Sequence, residues 1–450
     1  MSVSALFADL YEFTMLEAYH ALGMDKTAVF SLFVRKLPPH RNFLIACGLE
    51  TLLDDIDAFR FQGEDIAHLA SLHRFRPEFL SWLKTFRFSG DIYAMPEGTP
   101  VFANEPILEI VAPIAQGQLL ETLVLNQIGF QTMIASKAAR IVEAAQGRDV
   151  VDFGGRRAHG LDAAIKGARA AFVAGVSATS NVQAASEYGI PAVGTVAHSF
   201  IQAFPSEVKA FRAFADLFPN TTLLVDTYDT LAGVEAVAAL AREVGASFEI
   251  QAVRLDSGNL LELSRGARQI LDGAGLGSVR IFASGSLDEW KIDHLVGEGA
   301  PIDAFGVGTS MMVSTDAPAF DIAYKLTEYD GIGRMKLSAG KRILPGRKQV
   351  FRHFREGHAV GDIIARNGET LPGQPLLQLK MSRGRRHQTP LPLARRRERT
   401  AEMIAELPES IRRMEVVRPP YPVGISERLN AFEVQSRRVA IKAGGPKPLR

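Results

Sequence analysis

Apolar and polar positions along this chain follow two rhythms, and the change between them falls near residue 116. Leu6, Leu10, Phe13 and Glu17 recur at three-to-four spacing with Gly23 beyond them, which predicts a helix and its stop. In TAVFSLFVRKL, the alternate residues Val29, Ser31, Phe33 and Arg35 share one face of a strand. Helical spacing fills residues 48–86. Residues 90–113 break into short apolar runs at Pro and Gly, the pattern of small antiparallel strands.

Beyond Gln116 a long helical pattern leads into DVVDF, and a repeat begins. Short apolar strands end in polar or glycine residues, and amphipathic helices follow them. The strand ends are VVDFGGRR, VSATSN, AVGTVAHS, LLVDTYD, QAVRLDSGN, RIFASGSLD and DAFGVGTS. Seven such units over residues 149–310 predict an α/β fold with a closed or nearly closed parallel barrel; an open, doubly wound sheet is the competing arrangement. The rest of the chain is irregular and β-rich. The expected organisation is therefore an N-terminal α/β domain (1–115), a catalytic β/α barrel (116–325), a β-rich segment packing with the N-terminal domain (326–436) and a mobile tail (437–450).

Charge narrows the partners. Lys and Arg number 51 against 50 Asp and Glu, so nothing draws the whole chain to nucleic acid or an anionic membrane, and any anion must be bound locally. The basic stretch at 383–399 lies among polar and Pro residues and reads as a solvated surface rather than a nucleic-acid patch. No apolar stretch is long enough to span a bilayer. Cys47 is the single cysteine, so no internal disulfide forms, and its apolar neighbours mark it as core. The acidic, amphipathic start lacks the basic opening of a signal peptide, and the expected location is the cytoplasm.

Side chains at the carboxyl ends of barrel strands face one mouth. Here those positions supply Asp152, Arg156, Arg157, Ser180, His198, Asp226, Asp229, Arg254, Asp256, Ser284 and Ser286. Arginines among aspartates and a histidine point to an anionic substrate, with a divalent metal shared between carboxylate and phosphate. Gly306 and Gly308 allow close approach of backbone amides, Thr309 adds a hydroxyl, and Ser284 with Gly285 would complete a phosphate cradle; a tight turn needing small residues explains the same glycines. His198 is either a satisfied polar residue or, with Asp226 on one ring nitrogen, a nucleophile or base. Asp256 suits ribose hydroxyls or a metal on pyrophosphate, and an N-cap role is compatible with that.

Taken in order, LFADLYEFTM, FVRKLP, MPEGTPVFANEPILEI, DFGGRRAHG, TSNVQAASEYGIPAVGTVAHSF, LVDTYDT, VRLDSGNL, ASGSLDE, FGVGTSMM and YPVGISERL resemble the nicotinate phosphoribosyltransferases, over residues 6 to 430. That resemblance implies an irregular TIM-like barrel with an added α/β-sandwich domain built from both chain ends. It also implies a homodimer with its site at the subunit interface. The substrates would be nicotinate and phosphoribosyl pyrophosphate, with Mg²⁺ as cofactor and ATP as co-substrate, at the first step of NAD salvage. Phe153 and Tyr11, the latter from the second subunit, would sandwich the pyridine ring. Arg156 and Arg254 would meet the carboxylate or pyrophosphate, and Asp256 the ribose diol or Mg-pyrophosphate. Ser284, Gly285, Gly306, Gly308 and Thr309 would surround the 5′-phosphate. His198 would be phosphorylated, oriented by Asp226. Neutral Ser180 and Asn181 stand where related nicotinamide enzymes place an aspartate, which favours the acid over the amide. Gly155, His159 and Leu161 depart from the family pattern. Quinolinate or nicotinamide transfer, or a non-catalytic sugar-phosphate sensor, are the alternatives.

Overall fold

The computed structural model describes residues 4–338 and 342–442. The chain packs as two compact units, Met1–Met133 with Ala319–Arg450, and Ile134–Pro318. The principal strands, in chain order, are β1 (Thr27–Val34), β2 (Asp91–Ala94), β3 (Pro106–Pro113), β4 (Asp149–Asp152), β5 (Ala178–Thr179), β6 (Thr222–Leu224), β7 (Ala252–Leu255), β8 (Arg280–Ala283), β9 (Ala304–Val307), β10 (Ile322–Tyr329), β11 (Lys348–Arg355) and β12 (His358–Arg366).

In the first unit β1 pairs antiparallel with β10 on one side and β3 on the other, so both chain ends contribute to one sheet. All of β1 after Thr27 is buried, on both faces. The alternation of Ser31 with Val29 and Phe33 therefore marks no solvent face. Ser31 is satisfied internally, donating to Glu109 Oε1 at 2.8 Å, while Lys348 Nζ donates to Ser31 Oγ at 3.0 Å. A buried hydroxyl with partners on neighbouring strands costs little, whereas an unpaired one would be expensive. The helical spacing noted in the sequence becomes Leu10–Ala21, Leu49–Ala58, Gly63–Ser71 and Pro77–Thr85.

The basic stretch belongs to this unit. Arg386 pairs with Glu50 at 2.7 Å and Asp54 at 2.6 Å, and Arg396 with Glu97 at 2.7 Å. The last helix, Glu427–Lys442, carries the chain into the residues expected to form a tail, and 443–450 lie outside the described residues. Among the described residues no helix is long and apolar enough to cross a membrane.

The second unit holds six parallel strands in the order β5-β4-β9-β8-β7-β6. The decisive pairing is β4 with β9, from Asp149↔Ala304 to Asp152↔Val307. It joins the first strand of the repeat to the last, so strand order is cyclic, as in a barrel and not in an open doubly wound sheet. One position of the ring is nearly empty. AVGTVAHS, expected as a strand, contributes only an isolated bridge of Ala192 with Thr179. Thr179 N donates to Pro191 O and Val193 N to Thr179 O, both at 3.0 Å, and the ladder stops there. Pro191 has no amide hydrogen to extend it, and beyond Thr179 the chain turns into helix Val182–Tyr188, capped by Asn181. The result is an irregular β/α barrel with an incomplete wall.

Candidate active site

The strand ends of the barrel surround a cavity of about 690 Å³ lined by Phe153, Arg156, Ser180, His198, Arg254 and Asp256, together with Asn181, Gln183 and Thr195. Six residues singled out in the sequence thus share one space. A larger cavity of about 780 Å³ lies in the first unit, where Arg35, Lys36, Arg342 and Lys348 outnumber Asp321. Three of those cations are committed to ion pairs, Arg35 with Asp321, Arg342 with Glu433 and Lys348 with Glu109. The barrel cavity is the better candidate because a histidine, a carboxylate and two arginines meet there.

Arg254 and Asp256 alternate at the end of β7, which puts both side chains on one face. The guanidinium is held on three sides. Nε donates to Ser284 Oγ at 2.8 Å, Nη1 to Thr195 Oγ1 at 2.9 Å and Nη2 to Asp256 Oδ1 at 2.7 Å. It also lies 5.2 Å from the Phe153 ring centroid. Ser284 donates to the same Asp256 Oδ1 in a short contact, which leaves Oδ2 of that carboxylate open. Ser284 itself is buried.

Asp226 sits behind this pair. Its Oδ2 accepts from Asp256 N at 3.1 Å and from Ser257 Oγ at 2.6 Å. Its Oδ1 is buried without a partner, as is Glu207 Oε1. Burial, aided by the charges of Asp226 and Asp229, pushes the Glu207 carboxyl up. The expectation that Asp226 holds the His198 ring is corrected here: His198 Nδ1 meets Thr227 Oγ1 at 3.2 Å. That contact leaves Nε2 for chemistry. Asp226 instead braces the loop that presents Asp256. Asp256 does not cap the following helix; Asn259 does.

Glycines near the mouth serve packing. A Cβ on Gly306 would lie 2.7 Å from the Phe153 ring, so Gly306 makes room for that ring, whose other neighbour is Phe282 at 5.6 Å between centroids. Gly308 lies against the Phe153 carbonyl, where a Cβ would come within 3.2 Å. Gly285 has φ +91° and its Cβ would fall 1.8 Å from Asp256 O. Only glycine fits there. Thr309 is exposed at the start of the short helix Thr309–Met312. None of Ser284, Gly285, Gly306, Gly308 and Thr309 lines the cavity; Ser284 and Gly285 lie against Asp256, and Gly306 and Gly308 against Phe153.

Asp152, a strand-end candidate, is scaffold. It is buried, and it accepts from Thr179 Oγ1 and Gly154 N, each at 2.7 Å, fixing the turn that carries Phe153. Burial raises its carboxyl, against the pull of those two donors. Ser180 is exposed, and the Asn181 carbonyl oxygen caps its helix through Ala184 N at 3.1 Å. At Gly155 an added Cβ would meet only Asn181, 3.7 Å from Nδ2 and 3.9 Å from Cβ, so the glycine there is not sterically required. Leu161 is 77% exposed, and no packing explains it. Tyr11 belongs to the first unit, on helix Leu10–Ala21, and is half-exposed. Burial and the Glu121 carboxylate hold its hydroxyl well above the usual range.

Thr195 and Thr227 escaped sequence reasoning, because a threonine near a strand end carries no signal until its partner is known.

Comparison with known proteins identifies the family and the fold. Residues 6–129 match the nicotinate phosphoribosyltransferase N-terminal domain, and residues 149–345 match the nicotinate phosphoribosyltransferase family. A nicotinate phosphoribosyltransferase of Mycobacterium tuberculosis is 54% identical over 428 residues, 95% of this chain and 92% of that protein. The chain belongs to the nicotinate phosphoribosyltransferase family. The Bacillus subtilis member is 40% identical over 385 residues, 83% of this chain and 79% of its own length. The crystal structure of the human family member, named nicotinic acid phosphoribosyltransferase, superposes with a TM-score of 0.85 at 27% identity, covering 95% of this chain and 99% of that one. A nicotinate-nucleotide pyrophosphorylase from Pyrococcus furiosus follows the same fold, with a TM-score of 0.73 at 27% identity over 89% of this chain and 94% of that one. The matched regions cover both the N-terminal domain and the barrel, so the family's fold runs through most of the chain.

Proposed function

We propose that this protein transfers the phosphoribosyl group of phosphoribosyl pyrophosphate to nicotinate, giving nicotinate mononucleotide and pyrophosphate, with ATP hydrolysis coupled through a phosphohistidine at His198. The observation that carries the reading is the convergence of Phe153, Arg156, His198, Arg254 and Asp256 on one cavity in a chain of this family.

The pyridine nitrogen attacks the anomeric carbon as the carbon–oxygen bond to pyrophosphate breaks, and the bonding pair leaves with pyrophosphate. No proton need move. Catalysis then rests on alignment and on stabilising the departing charge. Phe153 offers a ring face to the pyridine, and Tyr11 from the second subunit of a homodimer would cover the other face. Arg156, exposed at the mouth, is free to meet the carboxylate. Arg254, its fork fixed by three acceptors, meets phosphate oxygens with its remaining N–H groups.

Among the described residues no group of three or more His, Cys, Asp or Glu side chains is arranged for a metal. One open carboxylate oxygen on Asp256 suits Mg²⁺ that arrives on pyrophosphate and keeps most of its water. Bound there, the ion would neutralise leaving-group charge.

In the coupled half-reaction His198 Nε2 displaces ADP from the γ-phosphorus of ATP, and water later releases phosphate from the ring. The Thr227 contact at Nδ1 supports this choice of nitrogen. Acid-labile labelling from γ-labelled ATP, present in the native chain and absent in His198→Ala, tests that step. Label elsewhere would overturn it.

A further inference from the structure

The connection between β5 and β6 carries two side chains that reach opposite sides of the site. His198 contacts Thr227 beyond β6 at 3.2 Å. Three residues earlier, Thr195 donates its hydroxyl hydrogen to Val196 O at 3.3 Å and accepts from Arg254 Nη1 at 2.9 Å. The single hydroxyl hydrogen is therefore committed, and a lone pair faces the arginine.

The three acceptors on Arg254 are not equally anchored. Ser284 is buried, and its amide donates to Leu255 O at 2.8 Å. Asp256 is braced through its own amide by Asp226. Thr195 stands on a segment whose only sheet pairing among the described residues is the bridge at Ala192, and Pro191 to Gly194 are exposed. Thr195 is thus the hold on the arginine with the least sheet pairing behind it.

We infer that Thr195 is a positioning residue through which the state of His198 sets the grip of Arg254 on the phosphoribosyl donor. The inference rests on the reading of His198 as the phosphorylated residue. A phosphoryl group there brings about −1.5 to −2 charge to the same short segment. Movement of that segment reaches Arg254 through one hydroxyl, and Arg254 passes it to Asp256 through the 2.7 Å ion pair. Chemical energy at the histidine is converted in this way into affinity for the donor, without direct contact between His198 and the arginine.

The test is steady-state kinetics of Thr195→Val and Thr195→Ser beside the native enzyme, with phosphoribosyl pyrophosphate varied in the presence and absence of ATP. Valine keeps the shape and removes the acceptor; serine restores it. The native enzyme should show a lower KM for the donor with ATP. In Thr195→Val that KM with ATP should rise about tenfold, the cost of one hydrogen bond to a charged group. Its response to ATP should largely vanish while kcat changes less than threefold. Thr195→Ser should recover both KM and the response. A matching melting temperature establishes that the valine variant is folded, and if it is not, the serine variant and Thr195→Ala carry the comparison. A valine variant that responds to ATP as the native enzyme does overturns the coupling. A native enzyme whose KM ignores ATP overturns the phosphohistidine reading itself, and the coupling with it.

Discussion

Arg254 and Asp256, two positions apart on one strand end, are joined by a 2.7 Å contact from Nη2 to Oδ1. Alternation along the strand puts both side chains on one face, and Ser284, just past the end of β8, bonds to both members. The pair is a preformed clamp rather than two independent ligands.

Removing the shared serine should therefore loosen the clamp. Ser284→Ala strips Arg254 Nε of its acceptor and Asp256 of a donor, each a hydrogen bond to a charged group worth about 1.5–3 kcal/mol. The KM for phosphoribosyl pyrophosphate should rise about tenfold to a hundredfold, with the KM for nicotinate nearly unchanged. Substrate-saturation kinetics for each reactant separate the two.

Gly285→Ala should be more severe. The alanine Cβ would overlap Asp256 O at 1.8 Å on a backbone with φ +91°. Left-handed strain alone costs about 1–3 kcal/mol, and relief of the overlap displaces Asp256. A fall in kcat/KM of about a hundredfold or more is expected, with a lower melting temperature; native kinetics from this variant would show that the Asp256 loop tolerates displacement.

Much of this was legible in the residues. The β/α rhythm gave the barrel, and polar strand ends named Arg156, Ser180, His198, Arg254 and Asp256, because periodicity fixes which end of a strand a residue occupies, while Phe153 came only from the family resemblance. The missing wall strand was not legible, since AVGTVAHS has a strand's composition and only Pro191 hints that its ladder fails. Nor was the close fit of Gly306 to the Phe153 ring, where a Cβ would lie 2.7 Å from the ring. Burial of both faces of β1 was hidden for a similar reason: Ser31 is polar in sequence and satisfied in the core. Pairings such as Thr227 with His198 depend on loops, whose path no periodicity records.

Glu12 gives a pH dependence of stability. It is buried, its Oε1 accepts from Thr122 Oγ1 at 2.6 Å and Thr122 N at 3.1 Å, and its Oε2 is buried without a partner. Burial pushes its carboxyl from 4.5 up to about 7, Thr122 opposing and Glu121 and Asp9 assisting. The folded chain therefore keeps a proton that the unfolded chain has released across that interval. The Glu12 contribution is complete below pH 4.5 and is lost as pH rises through about 7. Glu12→Gln should flatten the fall of melting temperature across this window, and an unchanged profile would place the titration elsewhere.

His198→Ala should keep ATP-independent transfer and lose all stimulation by ATP, since the alanine removes the phosphoryl acceptor but leaves Phe153, Arg254 and Asp256 in place. Product formation at a fixed donor concentration, with and without ATP, reads this directly.

The most direct measurement is pyrophosphate release by the purified protein with phosphoribosyl pyrophosphate and Mg²⁺, comparing nicotinate, nicotinamide and quinolinate, each with and without ATP. Release with nicotinate, accelerated by ATP and far slower with the other two, is the predicted result. Equal or faster release with nicotinamide or quinolinate, or none with any base despite tight donor binding, would contradict it.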